Sequence, residues 1–112
     1  MSALMATPLG EFEVLILLAV LHLGEGAYPP AVRAEIERRA RRDVSRGAVY
    51  VTLDRLAAKR LLISQTATAD SPTAGRPRRH FRVSPKGLRA VRRALAAVES
   101  MRVGLEPLLD ES

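Results

Sequence analysis

Two stretches of the chain bring together side chains able to recognise a polyanion. In "VSRGAVYVTLDRLAAKR", residues 44–60, Arg46, Arg55 and Lys59 accompany Tyr50 and a set of small residues. In "AGRPRRHF", residues 74–81, Arg76, Arg78, Arg79 and His80 follow a glycine and bracket a proline. Arginine and lysine displace counterions from phosphates, and arginine also donates in fork geometry to guanine O6 and N7. Small residues allow close approach to a base pair, and a valine can meet a thymine methyl.

The charge distribution agrees with this chemistry. The net charge is +6, yet all 18 Lys and Arg lie from Arg33 onward, and the first 32 residues hold three Glu and no basic residue. Between Ser71 and Val98 there are eight basic residues and no acidic one. Such a one-sided basic tract suits a nucleic-acid partner, although 16 of the 18 are Arg and a solvated basic surface accounts for charge alone nearly as well.

Other chemistries find little support. There is no Cys, so disulfides, thiolate metal sites and cysteine nucleophiles are excluded together. His22, in an apolar run, and His80, in a basic one, have no companions at metal-ligand or nucleophile spacing. No catalytic residue, metal ligand or cofactor is assigned, and an enzyme is not expected. The longest apolar run, Val14 to Leu21, falls short of a membrane span, and the N-terminus lacks the charge pattern of a signal peptide. The expectation is a soluble cytoplasmic protein with no membrane partner.

A chain of 112 residues holds one modest core, and with 4% aromatics and no Trp that core is aliphatic. Thr7-Pro8 has the form of a helix cap followed by proline, and "LGEFEVLILLAVLHLGEG" reads as a helix ending at Gly24 or Gly26. "YPPAVRAEIERRARR" predicts a second, amphipathic helix with Val32, Ile36 and Ala40 on its apolar face. After a short turn, Ser45 is suited to cap a third helix. At about 100° per residue, Val49, Leu53 and Leu56 form its apolar edge. Gly47, Val51, Asp54 and Ala58 lie opposite, flanked by Tyr50, Ala48 and Arg55. Taken singly, Val51 is equally an ordinary exposed valine, Tyr50 could pack on the second helix, and Arg55 could pair with Asp54 or Glu37.

"LLISQTAT" and "RRHFRVS" predict two strands around the turn-forming "ADSPTAGRP", which makes a β-hairpin. Ser84-Pro85 then starts a last helix, closed by Gly104 and Pro107 and followed by a frayed tail. Its seam of Leu88, Val91, Leu95 and Val98, continued by Met101 and Leu105, suits a contact with a second copy or, alternatively, packing on the first helix. The fold class is therefore mainly α with a small β-hairpin. It reads as a winged helix-turn-helix domain over residues 1–84 and a C-terminal dimerisation helix and tail over 85–112.

Between about Leu9 and Arg93 the chain resembles the PadR family of bacterial transcriptional regulators. "GAVYVTLDRLAAKRLL" is similar to the family's recognition-helix signature, and "GRPRRHFRVSPKG" to its wing signature followed by a Ser/Thr-Pro-x-Gly helix start. "AYPPAVRAEI" stands where members usually have Tyr-Gly. The resemblance implies a homodimeric winged-helix protein that binds double-stranded DNA, commonly a repressor, whose C-terminal helix makes most of the dimer interface. Two third helices in successive major grooves would then read a pseudo-palindromic operator, with association to the nucleoid when bound. By position it implies DNA contacts from Tyr28, Ser45, Gly47, Tyr50 and Thr52 and from the wing residues Arg76, Arg78 and Arg79. Arg46, Val51, Arg55, Lys59 and His80 join them from the reading of faces and charge. Lys59-Arg60 replaces the acidic residue and glycine common in members, so that turn is expected to differ and to offer charge to phosphate. Some members bind aromatic effectors through Trp at the dimer interface; with no Trp here, any small-molecule effector is left unknown. The alternative from a different class is a winged-helix module that binds an acidic protein.

Overall fold

The computed structural model describes residues 8–66 and 78–110. Its elements are α1 (Glu11–Leu23), a 3-10 turn (Gly24–Gly26), α2 (Pro29–Ala40), α3 (Arg46–Ala58), β1 (Leu62–Thr66), β2 (Arg79–Val83), α4 (Pro85–Arg102) and α5 (Glu106–Leu109). The order is that of a winged helix-turn-helix with one long helix after the wing.

The first helix starts later than Thr7-Pro8 suggests, because Gly10 occupies the cap position and the Glu13 carboxylate accepts a 2.9 Å hydrogen bond from the Gly10 amide. Thr7 itself lies outside the described residues. Ile16, Leu17 and Val20 on α1 are fully or nearly fully buried, and α1 packs against α2, α3, β2 and α4. It is the central element, as an almost wholly apolar helix must be.

α2 begins with Pro29 at its first turn and ends with Arg41 in the left-handed conformation, φ 55°. The link to α3 is fixed by polar contacts: the Val44 amide donates to Glu37 (3.0 Å) and Arg33 Nε donates to the Val44 carbonyl (2.7 Å). Ser45 Oγ then accepts from the Ala48 amide at 3.0 Å, satisfying one of the free donors of α3. Val49, Leu53 and Leu56 are buried, so the apolar edge sets the rotation of the helix.

β1 and β2 pair antiparallel, with Leu62 opposite Val83 and Thr66 opposite Arg79. Phe81 is buried in the core and its amide donates to the Ala27 carbonyl (3.0 Å), which hooks the wing onto the turn after α1. The expected tip of the wing, including Gly75, Arg76 and Pro77, lies outside the described residues.

The Ser-Pro-Lys-Gly sequence closes the domain by a local mechanism. Ser84 Oγ accepts from the Gly87 amide (2.9 Å) and donates to the Arg60 carbonyl (2.7 Å), while the Ser84 amide donates to the Leu61 carbonyl (3.0 Å). A side chain at Gly87 would put a Cβ only 2.1 Å from the Leu61 carbonyl oxygen, so only glycine lets α4 start this close to the α3–β1 turn. In that turn Arg60 takes φ 66°, the left-handed conformation that glycine adopts most easily.

The seam of α4 divides in two, which corrects its reading as a single interface. Val91 is only 2% exposed and belongs to the core of its own chain, with Leu88 packed against that core. α4 meets α1 and β2 over its first turns, and that contact covers Val91. Further along, Leu95, Val98 and Met101 are 44%, 62% and 77% exposed, and Leu105 is exposed as well. As far as Asp110, the tail is also more ordered than its composition predicts. α5 forms one turn after Leu105, and Asp110 pairs with Arg102 at 3.0 Å.

Candidate nucleic-acid interface

α3 presents to solvent the face opposite its buried edge. Gly47, Tyr50, Val51, Asp54, Arg55 and Ala58 are all exposed, Val51 to 56%. A Cβ at Gly47 would meet no atom within 4 Å, so packing does not demand glycine there. What glycine leaves is clearance for an outside group beside the free amides at the head of the helix. Ser45 and Arg46 are exposed at that end, with the Arg46 guanidinium 5.8 Å from the centre of the Tyr50 ring. Arg55 makes no ion pair among the described residues, because Asp54 and Glu37, its expected partners, are engaged elsewhere.

Thr52 does not belong to this face. It is 4% exposed, since α3 packs against α1, α2 and β1 and its buried arc is wider than the valine–leucine edge alone. Lys59 is also diverted: its ammonium lies 3.0 Å from the buried Glu13 carboxylate, tying the end of α3 to the first turn of α1. Burial raises the Glu13 pKa, but the Gly10 amide and Lys59 more than offset this, and the carboxyl titrates below its ordinary value. The expected offer of Lys59 to phosphate gives way to this internal pair.

The base of the wing meets the same face of α3. Arg79 Nη1 donates to Asp54 Oδ1 at 2.8 Å, its Nε donates to Ser64 Oγ at 3.2 Å, and the guanidinium lies 4.9 Å from the Phe81 ring centre. Arg79 is therefore a bridge from wing to helix rather than an unengaged cation. Arg78 is exposed and sits 5.2 Å from the centre of the Tyr28 ring, where a cation is attracted by the ring face. Tyr28, half-buried at the head of α2, meets His80 edge-on with ring centres 5.6 Å apart. His80 Nδ1 is buried and has no hydrogen-bond partner among the described residues. Tyr28, Arg78 and His80 thus form one cluster between the head of α2 and the wing.

Sequence reasoning located the α3 face but missed two of its determinants, the Asp54–Arg79 bridge and the Glu13–Lys59 pair. The available signal was their charge: Asp54 is the only acidic residue of α3, and from Val14 to Leu21 the helix that carries Glu13 is wholly apolar.

Residues 17–93 match the Transcriptional regulator PadR-like family. The chain belongs to the PadR-like family. It is a DNA-binding transcriptional regulator with a winged-helix fold. Among solved structures it is similar to a PadR-family transcriptional regulator from Eggerthella lenta, at 25% identity and a TM-score of 0.67, over 91% of this chain and 88% of that one. A PadR-like transcription factor from Bacteroides fragilis matches at 23% identity and TM-score 0.68, covering 87% of this chain and 88% of that one. A PadR-family regulator from Clostridium difficile shares the fold at TM-score 0.71 and 19% identity, over 89% of this chain and 99% of that one. No curated protein matches the chain. Among the described residues of this PadR-like regulator, no helix is long and apolar enough to cross a membrane.

Proposed function

We propose that this PadR-like chain is a cytoplasmic, non-enzymatic repressor that binds a pseudo-palindromic operator as a homodimer. The observation that carries the reading is the exposed face of α3, with the base of the wing bonded to it through Arg79. Gly47 and Val51 permit close approach to base edges, Tyr50 and Arg55 supply donors at its flanks, and Arg46 and Arg78 offer charge to the backbone. Residues 85–112 supply the dimer contact, now restricted to Leu95, Val98, Met101 and Leu105, which a monomer would leave in water. Two α3 helices would then enter major grooves about 34 Å apart, one helical turn.

Selection of bound duplexes from a random pool tests this. A homodimeric operator-binding protein enriches two inverted half-sites with an affinity that falls steeply with salt, and a reporter placed behind the enriched site should lose expression when the chain is present. Arg55→Ala should cost about 1–3 kcal/mol and relax the preference at one position, whereas Arg78→Ala should weaken all sequences and reduce the salt slope by about one unit. Retention on duplex that is weak and blind to sequence would instead favour a protein-binding module.

A further inference from the structure

Asp54 is the one acidic residue of α3, and it stands on the exposed face one turn from both Tyr50 and Ala58. On a surface built only to hold phosphates, a carboxylate there is unfavourable by like charge. It has no part in the core, since its side chain is 58% exposed, and Ser45, not Asp54, caps the helix. Its partner is held from three sides: Arg79 bonds to Asp54 and Ser64 and packs over Phe81. That arrangement pairs the carboxylate with an opposite charge and fixes its direction, while leaving acceptor capacity for an outside donor.

We propose that Asp54 is a specificity-determining residue that accepts a hydrogen bond from the exocyclic amine of a cytosine in the major groove, with Arg79 as the positioning residue that holds it. The inference rests on the reading of α3 as the helix that enters the major groove. Cytosine is the base whose major-groove edge is a donor alone; adenine sets its amine beside the N7 acceptor, which repels a carboxylate, and thymine and guanine offer acceptors.

The test is selection from a random duplex pool with the full chain as wild type, D54N, D54A and R79A, followed by titration of single-base variants. In the wild type, replacing the cytosine with thymine should weaken binding roughly 5- to 150-fold. D54A should tolerate all four bases at that position while its affinity for unrelated duplex holds or rises. D54N, isosteric and able to bond bidentately to adenine N6 and N7, should move the preference toward adenine. R79A, which deprives Asp54 of the partner that fixes its direction, should weaken the cytosine preference, and adding R79A to D54A should change the preference no further; an R79A protein with the wild-type preference removes the positioning role of Arg79. An unchanged preference in D54A and D54N, or a loss uniform over all sequences, overturns the role of Asp54. A wild type that enriches no sequence overturns the DNA reading itself and this inference with it.

Discussion

Lys59 Nζ stands 3.0 Å from Glu13 Oε2, so the last turn of α3 is bonded to the first turn of α1. The Glu13 carboxyl is pushed up by burial and brought down further by the Gly10 amide, by Lys59 and by the charge of Arg55, leaving it below the usual 4.5. A folded-state pKa below the unfolded one contributes stability above about pH 4.5 that is lost as pH falls through the folded value. Urea midpoints measured at pH 7, 4.5 and 3 should fall with acid in the wild type and fall less in Glu13→Gln. Equal acid sensitivity in the two proteins would show that Glu13 is not the group responsible. Lys59→Ala should lower stability with little change in the salt slope of DNA binding; the reverse pattern would return Lys59 to the phosphate contacts.

Gly87 is required by the approach of α4 to the Leu61 carbonyl. Gly87→Ala should destabilise the fold by about 1–3 kcal/mol, because the new methyl meets backbone that cannot swing aside. Gly26→Ala, where a Cβ meets nothing, serves as the control and should stay within about 0.5 kcal/mol. Equal midpoints for the two variants would mean that α4 shifts to accommodate the methyl.

Gly47 separates folding from binding. An alanine there lies in open space within the first turn of α3, so it should raise stability by up to about 1 kcal/mol through helix propensity. On the proposed reading of α3 the same methyl stands in the path of the DNA, and fluorescence anisotropy should show weaker binding. Tighter binding by the more stable variant would remove Gly47 from the interface.

The two halves of the α4 seam should respond differently to substitution. Val91→Ala should cost about 1–3 kcal/mol of stability by opening a cavity in the core. Leu95→Asp, at an exposed site, should leave the monomer folded and abolish the dimer in light scattering at micromolar concentration. A Leu95→Asp protein that stays dimeric would relocate the interface away from α4.

Local order was legible in the sequence because it depends on near neighbours. The Ser45 cap, the proline starts of α2 and α4, and the Val49, Leu53, Leu56 edge of α3 follow from propensity and a 3.6-residue period, and each is present in the fold. The start of α1 was misread because Thr7-Pro8 and Gly10-x-x-Glu13 are both valid starts, and the second is the one adopted. The apolar spacing of α4 was visible, but periodicity cannot say what covers a stripe. Val91 turned inward and Leu95 outward only because α4 leaves the body of the domain between them.

By itself, the sequence determined the helices, the hairpin and the face of α3 available to an outside partner, since these rest on contacts within a turn or between neighbouring strands. Only the tertiary structure decided which charges remain available. Glu13 and Lys59 are 46 residues apart, and Asp54 and Arg79 are 25 apart. A charged side chain several bonds long has many candidate partners along the chain, and three-dimensional packing selects one. That selection paired Lys59 with Glu13, made Arg79 a bridge, and left Asp54 on the exposed face of α3, while the packing of α3 buried Thr52.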